Sequence, residues 1–344
     1  MSTNPTLFKH ALDEIERGRK GLNQGLEMGF DRIYEYVCGI QHSRYDLIGG
    51  DTGSGKTAFL DNCYLLNPYD YLQLYPSKVD MSVLYFSLEI PARRKIIKLI
   101  AWKIWKDFGV LVDVNLILSR GKKNRISREI YDKILTTEAY FDKMQNTVLS
   151  FNDDKLTPKN FYRVMMEYSE KHGTWTETRN AKGDVIGKEY TPHNPFTYHL
   201  ILIDHITMLS KEDIDVISSE LVWFRNKCGF SPVVVSQYNR TIQSTDRAKL
   251  NLMEPRLGDF KQTGNTQEDA DTVFALFSPH RYKIQTYYGY DIKTLKNRIR
   301  TAHILKNRDG DEGKVVPLNF FGEIGHFREF PREEVVTKQT YTAA

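Results

Sequence analysis

The sequence predicts an α/β fold: a mostly parallel central sheet covered by helices on both faces, with antiparallel edge strands near the C-terminus. Three observations predict it. Short, continuous apolar runs recur at Tyr45 to Ile48, Val83 to Phe86, His199 to Ile203 and Pro232 to Val235. Helix-period segments lie between them, from Ala92 to Phe108, Ser127 to Leu135 and Lys159 to Tyr168. The first run ends in Gly49-Gly50 and a glycine-rich turn that opens into Ala58-Phe59-Leu60. A strand buried on both faces carries apolar residues without alternation, and amphipathic helices are what cover it.

Taken in order, the chain starts with Asn4-Pro5, an N-cap followed by proline at the first helical position. Leu7, Phe8, Ala11, Leu12 and Ile15 then repeat at helical spacing until Gly18. A helix this short is marginal by itself, so its apolar face needs a partner in its own domain or on a neighbouring subunit. A Gly- and Lys-rich connector runs to about Gly25. The helix Ile96 to Phe108, with Trp102 and Trp105, reads as core. Thr174 to Pro195 breaks the strand–helix rhythm with polar alternation around Ala181-Lys182-Gly183-Asp184, a surface hairpin insertion. From Val273 onward, β-type residues and glycine turns predict antiparallel edge strands, and residues after Val336 read as a disordered tail. The expected division is therefore a linker helix and connector over 1–24, one large domain over 25–335, and a tail over 336–344.

Composition narrows the class. Among 344 residues, 40% are apolar and 27% charged, the balance of a soluble globular chain. Lys and Arg number 48 against 44 Asp and Glu, an excess too small to mark the whole surface for nucleic acid, so any such site is local. Cys38, Cys63 and Cys228 form no CxxC pair and have no His at zinc spacing, which suits a reducing cytoplasm. No apolar run follows Met1 to Pro5 as a secretory signal would, and none reaches the roughly 20 residues of a membrane helix. A cytoplasmic location without membrane contact is expected.

Gly50-Asp51-Thr52-Gly53-Ser54-Gly55-Lys56-Thr57 fits GxxxxGK[ST], the Walker A pattern of a phosphate-binding loop. Its glycines let backbone N–H groups turn toward phosphates at a helix N-terminus, and Ala58 continues that helix. Lys56 is expected on the β- and γ-phosphates, and Thr57 on Mg²⁺. The third apolar run ends in Asp204, where a strand-end carboxylate holds the metal's water shell. The second ends Ser87-Leu88-Glu89, and an acid at that tip can polarise an attacking water. ATP and Mg²⁺ are the expected cofactors.

In order, these segments resemble the C-terminal motor domain of DnaB-type replicative helicases, a RecA-like P-loop NTPase fold, from about Gly25 to Phe327. Ser87-Leu88-Glu89-Ile90-Pro91 resembles the family's SLEMP-like segment, which implies that Glu89 is the catalytic base. Ile203-Asp204 resembles its Walker B. Val235-Ser236-Gln237-Tyr238-Asn239-Arg240 resembles its SQLNR motif, whose glutamine senses the γ-phosphate. Leu257 to Gly264, followed by Asp269-Ala270-Asp271, resembles a DNA-facing loop and the strand after it. Lys306-Asn307-Arg308-Asp309-Gly310 resembles the KNRNG-type segment, whose lysine and arginine reach the ATP of the next subunit. A charge supplied that way makes hydrolysis depend on correct subunit contact.

The departures are specific. Gln267-Glu268 stands where the family has Glu-Gln, and a carboxylate at Glu268 would repel phosphate unless paired. Lys261 and Gln262 replace a common Arg and Glu. Only about twenty residues precede the motor, so the family's N-terminal primase-engaging domain is expected to be missing, a trimmed form that suggests a phage type. The opening helix resembles the linker helix that packs on the adjacent subunit.

The resemblance implies a hexameric ring that translocates on single-stranded DNA and unwinds duplex, with primase, a loader or a polymerase as partners. Ring motors hold the DNA backbone through central loops, and Arg240, Lys261 and Gly264 are the candidates here. The basic, tyrosine-interleaved region Arg281 to Arg300 reads as an edge hairpin with lysines on its exposed face, and Lys122-Lys123-Asn124-Arg125 as a solvated loop. Two alternatives stay open: a RecA- or RadA-type recombination ATPase, and an ATP-gated DNA-binding or assembly module that does not unwind.

Overall fold

The computed structural model describes residues 7–180, 182–239, 242, 247, 253–260 and 264–342. Its centre is a nine-stranded sheet. Six strands are mutually parallel: β1 (Asp46–Gly50), β2 (Asp80–Ser87), β3 (Leu149–Asn152), β6 (Thr197–Asp204), β7 (Ser231–Gln237) and β8 (Thr272–Phe277). Three antiparallel strands complete one edge: β11 (Ile299–Asn307), β12 (Lys314–Phe321) and β13 (His326–Glu329). The order is β13-β12-β11-β8-β1-β7-β6-β2-β3, which puts β1 between β7 and β8 in the middle.

Alternate residues of each central strand enter opposite cores. Ile48, Val83, Tyr85, Leu200, Leu202, Val233, Val235 and Phe274 face one layer. Leu47, Leu84, Phe86, Ile201, Ile203, Val234 and Ala275 face the other. This period of two, with both faces apolar, is why the runs looked unbroken in sequence. On the first face lie α2 (Asp31–Val37), α3 (Lys56–Asp61), α4 (Asn67–Leu74), α5 (Ala92–Phe108) and α8 (Glu138–Thr147). On the second lie α9 (Pro158–His172) and α10 (Lys211–Cys228). Each of these last two helices starts on a hydroxyl cap: Thr157 accepts from the Asn160 N–H, and Ser210 from the Asp213 N–H.

Among the described residues the predicted elements hold, with four differences; the expected helix start at Asn4-Pro5 lies outside them. The opening helix α1 (Leu7–Arg19) runs through Gly18 rather than stopping there, and it leaves Phe8, Leu12 and Ile15 exposed at 72%, 47% and 65%. β8 belongs to the parallel set and lies against β1, because its partner comes from more than two hundred residues upstream; only the strands after it are antiparallel. The expected basic edge hairpin is mostly helical turns around a two-residue ladder, β9 (Thr286–Tyr287) with β10 (Tyr290–Asp291). The expected disordered tail has a short helix, Lys338–Thr342, whose Tyr341 hydroxyl accepts from the Asp291 N–H at 3.0 Å.

The surface insertion is the antiparallel pair β4 (Gly173–Arg179) and β5 (Val185–Pro192), and Trp175 at its base stacks on Trp223 of α10. Among the described residues no helix is long and apolar enough to cross a membrane.

Candidate nucleotide site

Four parallel strands end at one place. β1 runs into the loop 51–55, β2 ends beside Glu89, β6 ends at Asp204 and β7 at Gln237, with Gly50 opposite Gln237 and Ser87 opposite Asp204. Carboxyl ends of parallel strands are where open α/β sheets bind ligands. A cleft of about 320 Å³ opens there, lined by Thr52, Gly53, Gly55, Lys56, Thr57, Ala58, Glu89, Gln237 and His205.

The loop has the backbone such a cradle needs. Gly53 and Gly55 have φ of +77° and +97°, a region side chains disfavour, and a Cβ at Gly55 would lie 2.7 Å from the Phe327 ring. Gly55 caps α3, so the first helical N–H groups face the cleft. The Lys56 ammonium donates to the Asp51 carbonyl at 2.9 Å. Burial pushes its pKa down to about 8, opposed by Asp204, Asp51 and Glu89. A buried ammonium with this little compensation is suited to receive phosphate oxygens.

Thr57 Oγ1 donates to Asp204 Oδ1 at 2.9 Å. This pair of oxygens at the strand end fits a hard divalent cation such as Mg²⁺, which takes oxygen ligands and keeps waters. Burial acts to raise the Asp204 pKa, but the Lys95 ammonium and the hydrogen bonds from Lys95 and Thr57 outweigh it and leave the carboxylate below its ordinary value. Glu89 is half-exposed over the cleft, with its carboxylate 3.7 Å from His205 Nε2. The Leu88 and Glu89 N–H groups both donate to the Asp204 carbonyl, so the two acids share a backbone frame. Gln237 Nε2 donates to Thr52 Oγ1 at 2.6 Å, joining the end of β7 to the loop.

Sequence reasoning missed the second layer of this site. Asp61, Tyr85 and Lys95 form a buried network with Asp204: Lys95 Nζ lies 3.1 Å from Asp204 Oδ2 and 3.1 Å from Asp61 Oδ2, and Tyr85 donates to Asp61 at 2.9 Å. Arg281 and Arg300 bound the stretch expected to be an edge hairpin. They brace the outside of the phosphate loop instead. Arg281 donates to the Thr52 carbonyl at 2.5 Å, and buried Arg300 to the Ser54 and Gly53 carbonyls at 3.1 and 3.4 Å. Tyr282 donates to the Asp51 carboxylate. Arg300 also stacks over Phe320, and burial pushes its pKa down to about 10. Trp102, expected as plain core, is buried yet contributes to the cleft wall. A strand-to-strand pairing signal would have been needed to find these residues, because none sits in a motif.

Lys306 and Arg308 are elsewhere. Lys306 is near the end of β11 and Arg308 just beyond it, beside the start of β8, where Asn307 pairs with Thr272 and Thr272 pairs with Asp46. That is the opposite end of β1 from Gly50, roughly 13 Å away along the strand. Lys306 donates to the Gln267 and Glu268 carbonyls, and Arg308 to Asp271 Oδ1 at 2.5 Å. Glu268 thus meets Lys306 and Arg308 through its carbonyl.

Of the three DNA candidates, Arg240 and Lys261 lie outside the described residues. Gly264 opens a helix over Gly264–Asp269. The described stretch that ends at Phe260 is tied to the sheet. Tyr238, next to Gln237, bridges to Phe260, their rings 5.4 Å apart, and the Asn239 N–H donates to the Asp259 carbonyl at 2.7 Å. A Cβ on Gly49 would lie 2.2 Å from the Phe260 ring, so the strand feeding the phosphate loop and this segment are in direct contact.

Comparison with known proteins places the chain in a family and matches its fold. The model of the DnaB-like helicase C terminal domain matches residues 124–329. The replicative DNA helicase DnaC of Bacillus subtilis (strain 168) is 22% identical over 331 residues, covering 93% of this chain and 60% of that protein. The replicative DNA helicase DnaB of Mycoplasma pneumoniae is 22% identical over 317 residues, covering 89% and 57%. This chain therefore spans less than two thirds of the length of these relatives. Among solved structures, one isolated ATPase domain has a TM-score of 0.69 at 19% identity, covering 94% of this chain and 99% of its own. A DnaB-like replicative helicase described with its interactions with primase scores 0.65 at 19%, covering 94% and 67%. The fold is the RecA-like α/β architecture of these ATPase domains. Since the matched segment takes in more than half of the chain, this protein belongs to the family of DnaB-like helicase C-terminal domains.

Proposed function

We propose that this chain is an ATP-dependent replicative DNA helicase motor that translocates on single-stranded DNA as a ring, most economically a hexamer. The observation that carries the reading is the convergence of Lys56, Thr57, Glu89 and Gln237 on one cleft at the ends of four parallel strands, with Asp204 bonded directly behind Thr57. Lys56 and the loop N–H groups hold the phosphates, and Thr57 and Asp204 hold Mg²⁺. The ion's chemistry, when bound, is to neutralise charge on the phosphate oxygens. Glu89 accepts a proton from the attacking water. Gln237 senses the γ-phosphate and passes its state through Tyr238 and Phe260 toward the Lys261–Gly264 loop, which with Arg240 touches the DNA backbone.

Lys306 and Arg308 act on the nucleotide of the next subunit, since neither sits at its own cleft. The exposed Phe8, Leu12 and Ile15 face of α1 packs on a neighbouring copy. Primase, a loader or a polymerase would meet the ring on other surfaces, in the cytoplasm of a cell or of a phage host.

A strand-displacement assay on a forked substrate tests the reading. The wild type should separate strands with ATP and Lys56→Ala should not. If both form rings and neither separates strands, the helicase reading fails.

A further inference from the structure

The network behind Asp204 is unusual in its charge count. Lys95, in the first turn of α5, is fully buried. Its ammonium lies 3.2 and 3.1 Å from the two oxygens of Asp61, 3.1 Å from Asp204 Oδ2 and 2.6 Å from the Tyr85 hydroxyl. A lysine has three N–H donors, so these acceptors use all of them. Two formal negative charges meet one positive. Lys56, on the loop side of the cleft and attracted to Asp204, supplies a second positive. Lys95 and Lys56 thus offset the charges of Asp61 and Asp204, with Asp51 and Glu89 as further acids near Lys56.

We propose that Lys95, paired with Asp61, is a positioning residue that keeps the cation site closed to free divalent ions and makes cation entry conditional on the nucleotide. The inference rests on the reading of the cleft as a Mg²⁺–nucleotide site. Two geometric facts carry it. Lys95 occupies Asp204 Oδ2, which leaves Oδ1, the oxygen bonded to the cleft-lining Thr57, as the one free of the ammonium. Asp61, whose residue lines the cleft wall, has both carboxylate oxygens on Lys95 and so is withheld from any ion. Among the described residues no group of three or more His, Cys, Asp or Glu is arranged to hold a metal ion unaided. Triphosphate oxygens bring the missing ligands. A motor built this way cannot be loaded with metal before nucleotide. The shared ammonium also offsets the repulsion between Asp61 and Asp204.

The test uses Mn²⁺ as the probe, followed by its electron paramagnetic resonance signal, with the full chain and no nucleotide. Wild type should show no saturable Mn²⁺ site in the absence of nucleotide and gain one with a non-hydrolysable ATP analogue. Lys95→Met, which keeps the side-chain length and removes the charge, should bind Mn²⁺ without nucleotide roughly tenfold or more tightly than wild type, because an unscreened buried charge near an ion is worth at least that factor. Adding Asp61→Asn to Lys95→Met restores the balance and should abolish the gain. Circular dichroism establishes that each variant is folded. Equal nucleotide-free Mn²⁺ affinity in wild type and Lys95→Met would overturn the proposal, as would a wild type that takes Mn²⁺ as tightly without nucleotide as with it.

If Lys95→Met does not fold, Asp61→Asn alone decides. It leaves Lys95 in excess, so the Mn²⁺ concentration needed to half-saturate the nucleotide complex should rise several-fold, and an unchanged value would overturn the proposal. A wild type that binds no nucleotide with or without Mn²⁺ would sink the proposed function instead, while the nucleotide-free comparison still decides the role of Lys95.

Discussion

Thr57 and Asp204 are separated by 147 residues, yet the hydroxyl of the first donates to the carboxylate of the second at 2.9 Å. The contact exists because α3 starts where β1 ends, and β6 ends at the same level of the sheet with only β7 between the two strands. Asp204→Asn keeps the shape of that contact and removes the charge. Hydrolysis should fall by about 10²- to 10³-fold, the scale of losing one well-placed electrostatic group. The melting curve should change little, because Lys95 retains Asp61. ATPase assays beside a thermal melt check both halves.

Glu89 is the proposed base, and its half-exposed carboxylate lies 3.7 Å from His205 Nε2. Glu89→Gln should bind a fluorescent ATP analogue with wild-type affinity and lose about 10²- to 10⁴-fold in hydrolysis rate, the usual contribution of a general base. Loss of binding together with hydrolysis would place Glu89 in nucleotide retention rather than in proton transfer.

Arg308 cannot reach its own cleft from the far end of β11. Arg308→Ala should therefore bind nucleotide normally and hydrolyse it about 10³- to 10⁵-fold more slowly, as for other arginines supplied in trans. Mixing Arg308→Ala with Lys56→Ala should recover part of the activity, since the second variant lends its intact Arg308 to the intact phosphate loop of the first. Two inactive proteins that stay inactive on mixing would contradict action across an interface.

Acid should destabilise the fold through its buried histidines. Burial holds His303 at about 3, and burial, helped by His172 and His42, holds His199 at about 3, against an ordinary 6.5. Below pH 6.5 the unfolded chain takes up protons that the folded chain refuses. The stability these residues contribute is therefore complete above pH 6.5 and is lost as pH falls toward 3, at up to about 1.4 kcal/mol per pH unit for each. The urea midpoint should fall between pH 6.5 and pH 5, and His303→Gln should reduce that fall. A midpoint that stays level through this window would contradict the assignment.

The parts of the site that sequence reveals are those whose chemistry needs a fixed local pattern. Gly50 to Thr57 must turn a backbone around phosphate, and Asp204, Glu89 and Gln237 each end an apolar run, so strand and acid or amide are read together. Lys95 gave no such signal. In Ala92-Arg93-Arg94-Lys95 it looks like one more solvated base, and only the fold turns it inward onto Asp61 and Asp204. Arg281 and Arg300 reach the phosphate loop from more than two hundred residues away, a distance over which periodicity carries no information. The same limit explains β8, whose type was legible but whose parallel partner was not. It explains β3 too, four residues of Leu-Ser-Phe-Asn that alternate too briefly to stand out.

The central claim is that the nucleotide cleft and the DNA-facing loops are coupled through Gln237, Tyr238 and Phe260. The most direct measurement is the ATP hydrolysis rate with and without single-stranded DNA, at a protein concentration that permits rings. The account predicts strong stimulation by DNA, abolished in Gln237→Ala while nucleotide binding persists. A rate indifferent to DNA would contradict the motor and favour an ATP-gated assembly module.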